Sequence, residues 1–337
     1  MIEHIVDDAY GCGRVDKYIM KLLPGMPKGL LYKQFRNKNI TLNGRKIGGG
    51  EQVKTSDVLK FFLSDETFKA FSEGHSLNED DHIGNIARKA IQYYNAHSGD
   101  VDIVYENEHI IVMDKPSGML SQKSRPEDDS LNEWMLGYLL SNSIVKEDDL
   151  TRYKPSVLNR LDRNTSGLVI GGKTLKGANI ISRALRERTV HKYYKTLVWG
   201  ECTDADGIHE ALLSKDSSTN LVNIMTELVN EDNADKYAII KTGIKLIEVK
   251  KQQGIGTQSV LEIELFTGKS HQIRAHLSYL GYPIVGDPKY GNRDLDKKYG
   301  YSVSDGQYLH AYKIVFDVDI RSELDLDTDT IISHGEF

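Results

Sequence analysis

Val15, Tyr18, Ile19, Leu22 and Leu23 recur along RVDKYIMKLL at the three- and four-residue spacing of one helical face, and Arg14, Lys17 and Lys21 fall on the other side. Pro24, Gly25 and Pro27 end that helix. A second short helix is predicted in GLLYKQFRNK, with Leu30, Leu31, Gln34 and Phe35 on related faces and Lys33, Arg36 and Lys38 exposed. ITLNGRKI then alternates apolar and polar positions around Asn43-Gly44, the pattern of a tight hairpin.

From residue 65 to 100 the chain turns polar and acidic, with NEDD and SGD around HIGNIARKAIQYY, which predicts a linker carrying some local helix. VDIVYENEHIIVMDKPSGML next predicts two short strands joined at ENEH and closed by Pro116 and Gly118. Short β-branched runs dominate from there: GLVIGG, YYKTLVWG, YAIIKTGIKLIEV, SVLEIELFT and YKIVFDV. Helical patterns separate only some of them, in SLNEWMLGYLL, LKGANIISRALRER and SHQIRAHLSYLG. Neighbouring strands without an intervening helix predict an α+β fold with a mixed, mainly antiparallel sheet, because a doubly wound parallel sheet needs a helix between most strands. The expected organisation is a small binding module over residues 1–64, the linker at 65–100, a body at 101–325 and a tail at 326–337, without internal repeats.

A length of 337 residues allows two or three such units, and 39% hydrophobic with 27% charged residues fits folded domains. The formal charge of −6 argues against a polyanion partner, but that average hides an asymmetry. Residues 12 to 60 hold eleven Lys or Arg against three acids, a surplus of eight, so the remainder carries −14. A basic module attached to an acidic body suggests polyanion binding. Cys12 and Cys202 lack the paired spacing of a zinc site or disulfide framework, which fits a reducing compartment. MIEHIVDDAY does not have the basic-then-apolar order of a signal peptide, and no apolar run approaches the ~20 residues of a membrane helix. The expected location is cytoplasmic, away from membranes.

Two motifs point to other chemistry. Gly167, Gly172, Lys173 and Thr174 satisfy the phosphate-loop pattern G-x-x-x-x-G-K-T, and Asp317 in IVFD could supply a magnesium-binding acid, as in a nucleotide hydrolase. The context opposes this: LNRLDRNTS precedes the motif, and Leu168, Val169 and Ile170 inside it read as a strand that leaves no backbone nest for phosphates. His271 and His276 lie five apart, not at the four-residue spacing that puts two zinc ligands on one helical face, so no metal is expected.

Four ordered segments carry a resemblance. YENEHIIVMDKPSGML, NRLDRNTSGLVIGGKT, HKYYKTLVWG and TGKSHQIRAHLSYLGYPIVGDPKYG are similar, in this order and at comparable separations, to signature segments of the RluA-type family of RNA pseudouridine synthases, which includes ribosomal large subunit enzymes. Residues 12 to 62 resemble the RNA-binding module first defined in ribosomal protein S4, which implies phosphate contacts by Arg14, Lys17, Lys21, Lys33, Arg36 and Lys38. The family resemblance implies that Asp162, the aspartate after Arg-Leu, is the essential catalytic residue. It implies that Tyr194, six before Gly200, is the family tyrosine, and that Arg274 is the basic residue of HQIR. The family usually has histidine where this chain has Asn159, which keeps hydrogen-bonding capacity but no proton-transfer role.

The chemistry so implied cleaves the bond between uracil and ribose, turns the base, and rejoins it through carbon, with no cofactor, nucleotide or metal. It needs an ionised carboxylate, and in a water-poor cleft a nearby cation must offset desolvation; Arg274 is the candidate. Tyr194 could stack on the base and handle a proton. Arg160, Arg163, Lys192 and Lys269 are candidates to hold flanking phosphates, and Thr165, Ser166 and Gly167 to orient the aspartate, the hydroxyls through nearby backbone groups and the glycine through a turn. The expected substrate is large-subunit (23S) ribosomal RNA or its precursor, acted on by a monomer. A non-catalytic RNA-binding protein of the same fold is the alternative.

Overall fold

A computed structural model describes residues 2–7, 13–125, 127–215, 221–225, 237–252, 256–302, 306–333 and 335, with the side chains at 66, 70 and 73–82 left aside. Cys12 lies outside the described residues. The chain divides into two compact units, Met1–Lys89 with Ser143–Lys154, and Ala90–Asn142 with Pro155–Phe337.

In the first unit β1 (Ile2–Ile5) is followed by α1 (Val15–Leu22), α2 (Lys28–Arg36), β2 (Ile40–Leu42), β3 (Arg45–Lys46) and β4 (Val58–Phe61). The strands pair antiparallel in the order β1-β4-β2-β3. The stripe of α1 is buried throughout, and Leu31 and Phe35 of α2 join the same core with Ile40, Leu59 and Phe61. Asn43 and Gly44 both take positive φ, 49° and 73°, as the two-residue hairpin turn requires.

The segment read as a linker is instead one helix, α3 (Asp65–Ala96), of 32 residues. Its apolar positions do not gather into one stripe, so periodicity gives only a weak signal. The division between the two units falls within α3, and residues 143–154, which sequence assigns to the body, group with the first.

The second unit contains β5 (Asp102–Glu106), β6 (Ile110–Lys115), α4 (Leu131–Ser141), β7 (Ser156–Val157), β8 (Ser166–Gly172), α5 (Leu175–Glu187) and β9 (Val190–Trp199). It continues through β10 (Gly207–Lys215), β11 (Val222–Met225), β12 (Tyr237–Gln252), β13 (Gly256–Leu265), α6 (Gln272–Tyr279), α7 (Arg293–Lys298), β14 (Leu309–Phe316), α8 (Val318–Glu323) and β15 (Thr330–Ile332). Among the described residues these strands form one mixed sheet in the order β11-β10-β12-β13-β9-β14-β8-β6-β5, with β7 on β8 and β15 on β14. The pair β8–β14 is parallel and the others are antiparallel, so the α+β expectation holds. Ile110, Val112, Leu168 and Ile170 from β6 and β8 pack with Ile181 and Ala184 of α5 and Ile320 of α8 in the core behind the central strands.

The phosphate-loop match is a strand. Residues 166–172 are β8, with Leu168, Val169 and Ile170 buried. The Lys173 ammonium is spent on Glu106 at 2.7 Å and on the Asn107 carbonyl. Thr174 caps α5 by accepting from the Gly177 N–H. Asp317 precedes α8 and meets His191 at 3.1 Å.

Candidate active site

Asp162 lies in the loop between β7 and β8, and the segment 115–121 fixes that loop nearly residue by residue. Ser121 Oγ donates to the Leu161 carbonyl and accepts from the Leu161 N–H, both at 3.0 Å. The Gly118 N–H donates to the Arg163 carbonyl, and Arg163 Nε returns a bond to the Gly118 carbonyl. Lys115 is fully buried, and its Nζ donates to the carbonyls of Pro116, Met119 and Arg163 at 2.8, 2.9 and 3.1 Å. Burial pushes its pKa down to about 7, against the raising influence of Asp162 and Asp114. Asn159 ties the start of the loop to β8: Oδ1 accepts from the Ile170 N–H at 2.7 Å and Nδ2 donates to the Leu168 carbonyl.

The hydroxyl turn works differently from the expectation. Thr165 Oγ1 accepts from Gln307 Nε2 at 2.6 Å, and Ser166 Oγ meets His310 Nδ1 at 2.8 Å, so both hydroxyls bond side chains at the start of β14 and not nearby backbone. It is the Thr165 N–H that bonds the Asp162 carbonyl. Gly167 sits inside β8 with φ 113°, and a Cβ there would lie 2.3 Å from the Ala311 carbonyl oxygen, so its role is close approach of β14 and not a turn.

Arg274, on α6, donates from Nη1 to Asp162 Oδ2 at 2.8 Å across 112 residues of sequence. Its Nε and Nη2 grip Asp287 at 2.7 and 2.9 Å, and Asp287 also accepts the N–H groups of Lys289 and Tyr290. The Asp287 side chain has no solvent exposure and that of Arg274 has 6%, whereas Asp162 keeps 28%. Burial works against the Arg274 charge, but the two carboxylates outweigh it and hold its pKa above the ordinary value. Among the described residues no donor reaches Asp162 Oδ1. The aspartate therefore has one oxygen held and one free.

Tyr194 on β9 pairs in register with Ile263 and Ala311, is buried, and lines the same cleft. Burial first, then the Asp162 charge, raises its pKa, so the phenol stays protonated. His271, just ahead of α6, places Nε2 3.9 Å from Asp162 Oδ2.

These groups line a cleft of about 750 Å³. Arg160, Arg163, Lys192, Lys269 and Thr165 line it as well, while Ser166 and Gly167 do not. Lys289 joins them, so among the described residues six Lys or Arg and one carboxylate, that of Asp162, line the cleft, in a chain whose net charge is negative. A cleft so charged suits a polyanion. Burial lowers the Lys192 pKa. Among the described residues no three His, Cys, Asp or Glu side chains gather as a metal site; His276 bonds Thr242. In the first unit Arg14, Lys17, Lys21, Lys33, Arg36 and Lys38 are exposed, with Arg14 paired to Asp16 at 2.7 Å. Sequence reasoning missed Asp287, Lys289 and Gln307, and weighed His271 only as a metal ligand. Asp287 stands in the quoted segment YPIVGDPKYG, but nothing in one sequence pairs it with Arg274.

Comparison with known proteins gives the class. Residues 109–279, half of the chain, match the family model described as RNA pseudouridylate synthase, and the chain belongs to that family of isomerases. It is 28% identical to an uncharacterized RNA pseudouridine synthase of Mycoplasma genitalium, over 90% of this chain and 85% of that one. It is 28% identical to ribosomal large subunit pseudouridine synthase D of Neisseria meningitidis serogroup B, over 90% and 72% of the two chains. With ribosomal large subunit pseudouridine synthase C of Rickettsia prowazekii the identity is 27%, over 89% and 88%. The solved structure of human RNA pseudouridylate synthase domain containing 4 shares the fold, with a TM-score of 0.55 at 18% identity over 73% of this chain and 92% of that one.

Proposed function

We propose that this chain isomerises specific uridines of large-subunit ribosomal RNA to pseudouridine, with Asp162 as the essential carboxylate. The observation that carries this is the half-held carboxylate: Arg274 donates to Asp162 Oδ2, among the described residues Oδ1 has no donor, and Asp162 lines the cleft. In the reaction the C1′–N1 bond breaks, a C1′–C5 bond forms, and the proton leaving C5 is balanced by one gained at N1. Asp162 attacks the sugar or base, or removes a proton as the glycosidic bond opens. Tyr194 stacks on the uracil and acts first as a proton donor, because its phenol is held protonated.

Arg160, Arg163, Lys192, Lys269 and Lys289 are positioned around the cleft to hold phosphates flanking the flipped nucleotide, whose extrusion costs roughly a few kcal/mol. Residues 1–64 act as an S4-like RNA-binding module that delivers the enzyme through Lys and Arg contacts to phosphate. Ribosomal RNA is favoured over transfer RNA by relatives named for the large ribosomal subunit. The enzyme works as a monomer in the cytoplasm without a cofactor. Among the described residues no helix is long and apolar enough to cross a membrane.

The test is tritium release from RNA labelled at C5 of uracil, wild type against Asp162→Ala. Release from ribosomal RNA by wild type alone is expected. Equal release from both would remove Asp162 from the chemistry, and none from ribosomal or transfer RNA would leave an RNA-binding protein of the same fold.

A further inference from the structure

His271 adopts a left-handed backbone conformation, φ 54° and ψ 18°, immediately before α6. Non-glycine residues seldom take that conformation, and where it persists it usually serves a site. Here it sets His271 and Arg274, three residues apart, against the same oxygen: Arg274 Nη1 at 2.8 Å and His271 Nε2 at 3.9 Å from Asp162 Oδ2.

The other side of the ring is fastened. His271 Nδ1 lies 3.0 Å from the Tyr290 hydroxyl, and that oxygen accepts the Val222 N–H at 2.9 Å. With one lone pair so occupied, the phenol proton is available to Nδ1. An unprotonated Nε2 would turn its lone pair toward a carboxylate oxygen, so the charge of Asp162 favours the tautomer with hydrogen on Nε2. Tyr290 O–H then donates to Nδ1, and Nε2–H points at Asp162. The Tyr290 ring also lies 5.3 Å from Arg274 Cζ, so one side chain braces both donors.

We propose that His271 is a positioning residue for Asp162: its Nε2–H faces Oδ2 from 3.9 Å, an electrostatic contact beyond hydrogen-bond length, Tyr290 fixes the tautomer that provides it, and Oδ1 is thereby kept toward the substrate. This rests on the pseudouridine synthase reading of the cleft. Protonation of His271 would put a second full positive charge on Asp162 beside that of Arg274, and would leave the Tyr290 oxygen facing two N–H donors. The charged groups facing the ring are Asp162 from the catalytic loop, Arg274 from α6, and Lys289 and Asp287 from the following loop. Burial comes first and lowers the His271 pKa below 6.5, so the ring is neutral and competent at neutral pH. Activity should fall on the acid side as the ring gains its proton.

The test has two parts on the full chain. Nitrogen-15 NMR of the imidazoles, with His271→Gln supplying the assignment, should show the Nε2–H tautomer at neutral pH, and Asp162→Asn should lower the His271 pKa further. In turnover of RNA, His271→Ala should lower kcat about tenfold with KM within twofold. His271→Gln, which keeps an N–H near the Nε2 position, should recover most of that loss and move the acid limb of the pH profile downward. An Nδ1–H tautomer, a titration indifferent to Asp162→Asn, a Gln variant as slow as Ala, or an unmoved acid limb would each overturn the proposal. The NMR readings need no turnover, so they decide the contact even if the proposed reaction fails.

Discussion

Asp287 occupies two of the three guanidinium nitrogens of Arg274, and so decides which nitrogen remains for Asp162. A planar fork held on one edge cannot swing, which turns a flexible side chain into a fixed donor. The least exposed carboxylate of the site thus acts on Asp162 through the arginine.

Asp287→Ala should destabilise the fold by roughly 3–5 kcal/mol, because it strands a buried arginine whose pair it removes. Chemical denaturation measures the loss. Burial alone would raise the Asp287 pKa, but the Arg274 bonds and charge, with the Tyr290 and Lys289 N–H groups, hold it below 3.8. A depressed carboxylate contributes stability that is present above its unfolded pKa and lost as pH falls through its folded pKa. Acid titration of the wild type should therefore show a loss of stability below about pH 4 that the Ala variant lacks.

Arg274→Lys tests geometry against charge. An ammonium keeps the positive charge but cannot span two bonds to Asp287 and one to Asp162 at once. The rate constant for turnover should fall about a hundredfold, while RNA affinity by filter binding stays within about twofold. A variant with wild-type kcat would show that charge alone suffices.

Much of this is legible in the sequence, and the limits are physical. The α1 stripe and the Asn43-Gly44 turn carry their periods and turn chemistry locally, so they can be read directly. The interior of the phosphate-loop match betrays itself as a strand through Leu168, Val169 and Ile170. Asp162 and Arg274 are picked out by family resemblance and paired by the need for a cation beside a carboxylate in a water-poor cleft, and the structure joins them at 2.8 Å. Helix α3 is obscured because its apolar residues spread around its axis. The partners of Thr165 and Ser166 escape a sequence reading because Gln307 and His310 reach them from about 140 residues away, and no local pattern encodes that.

Neutralising Lys33, Arg36 and Lys38 to Gln should weaken RNA binding without changing turnover at saturating RNA. All three side chains are exposed, so the fold should be unaffected. The slope of log affinity against log salt should flatten by about 0.7–0.9 for each phosphate no longer neutralised. An unchanged slope would place the RNA elsewhere.

Tyr194→Phe should leave stability within about 1 kcal/mol of wild type, because among the described residues the hydroxyl has no hydrogen-bond partner to lose. Turnover should drop about a hundredfold or more if the hydroxyl handles a proton, and far less if only its ring stacks. Ultraviolet titration should find this phenol still protonated at pH 10, as burial and the Asp162 charge require.

Gly167→Ala probes how tightly the parallel pair β8–β14 is built. The pairing sets Gly167 opposite Ala311, with Tyr194 on the other flank of the same residue. An added methyl meets the Ala311 carbonyl oxygen at 2.3 Å and the Ala311 nitrogen at 2.5 Å, and φ 113° disfavours any side chain. Backbone atoms cannot step aside as a side-chain tip can, so the strands must part. The substitution should cost about 3 kcal/mol in thermal or denaturant unfolding. Because β8 follows directly from the Asp162 loop and Ala311 backs Tyr194, kcat should fall in the protein that still folds, while binding through the first unit persists. A variant with full stability and activity would mean that β8 and β14 do not approach as closely in solution as their register demands.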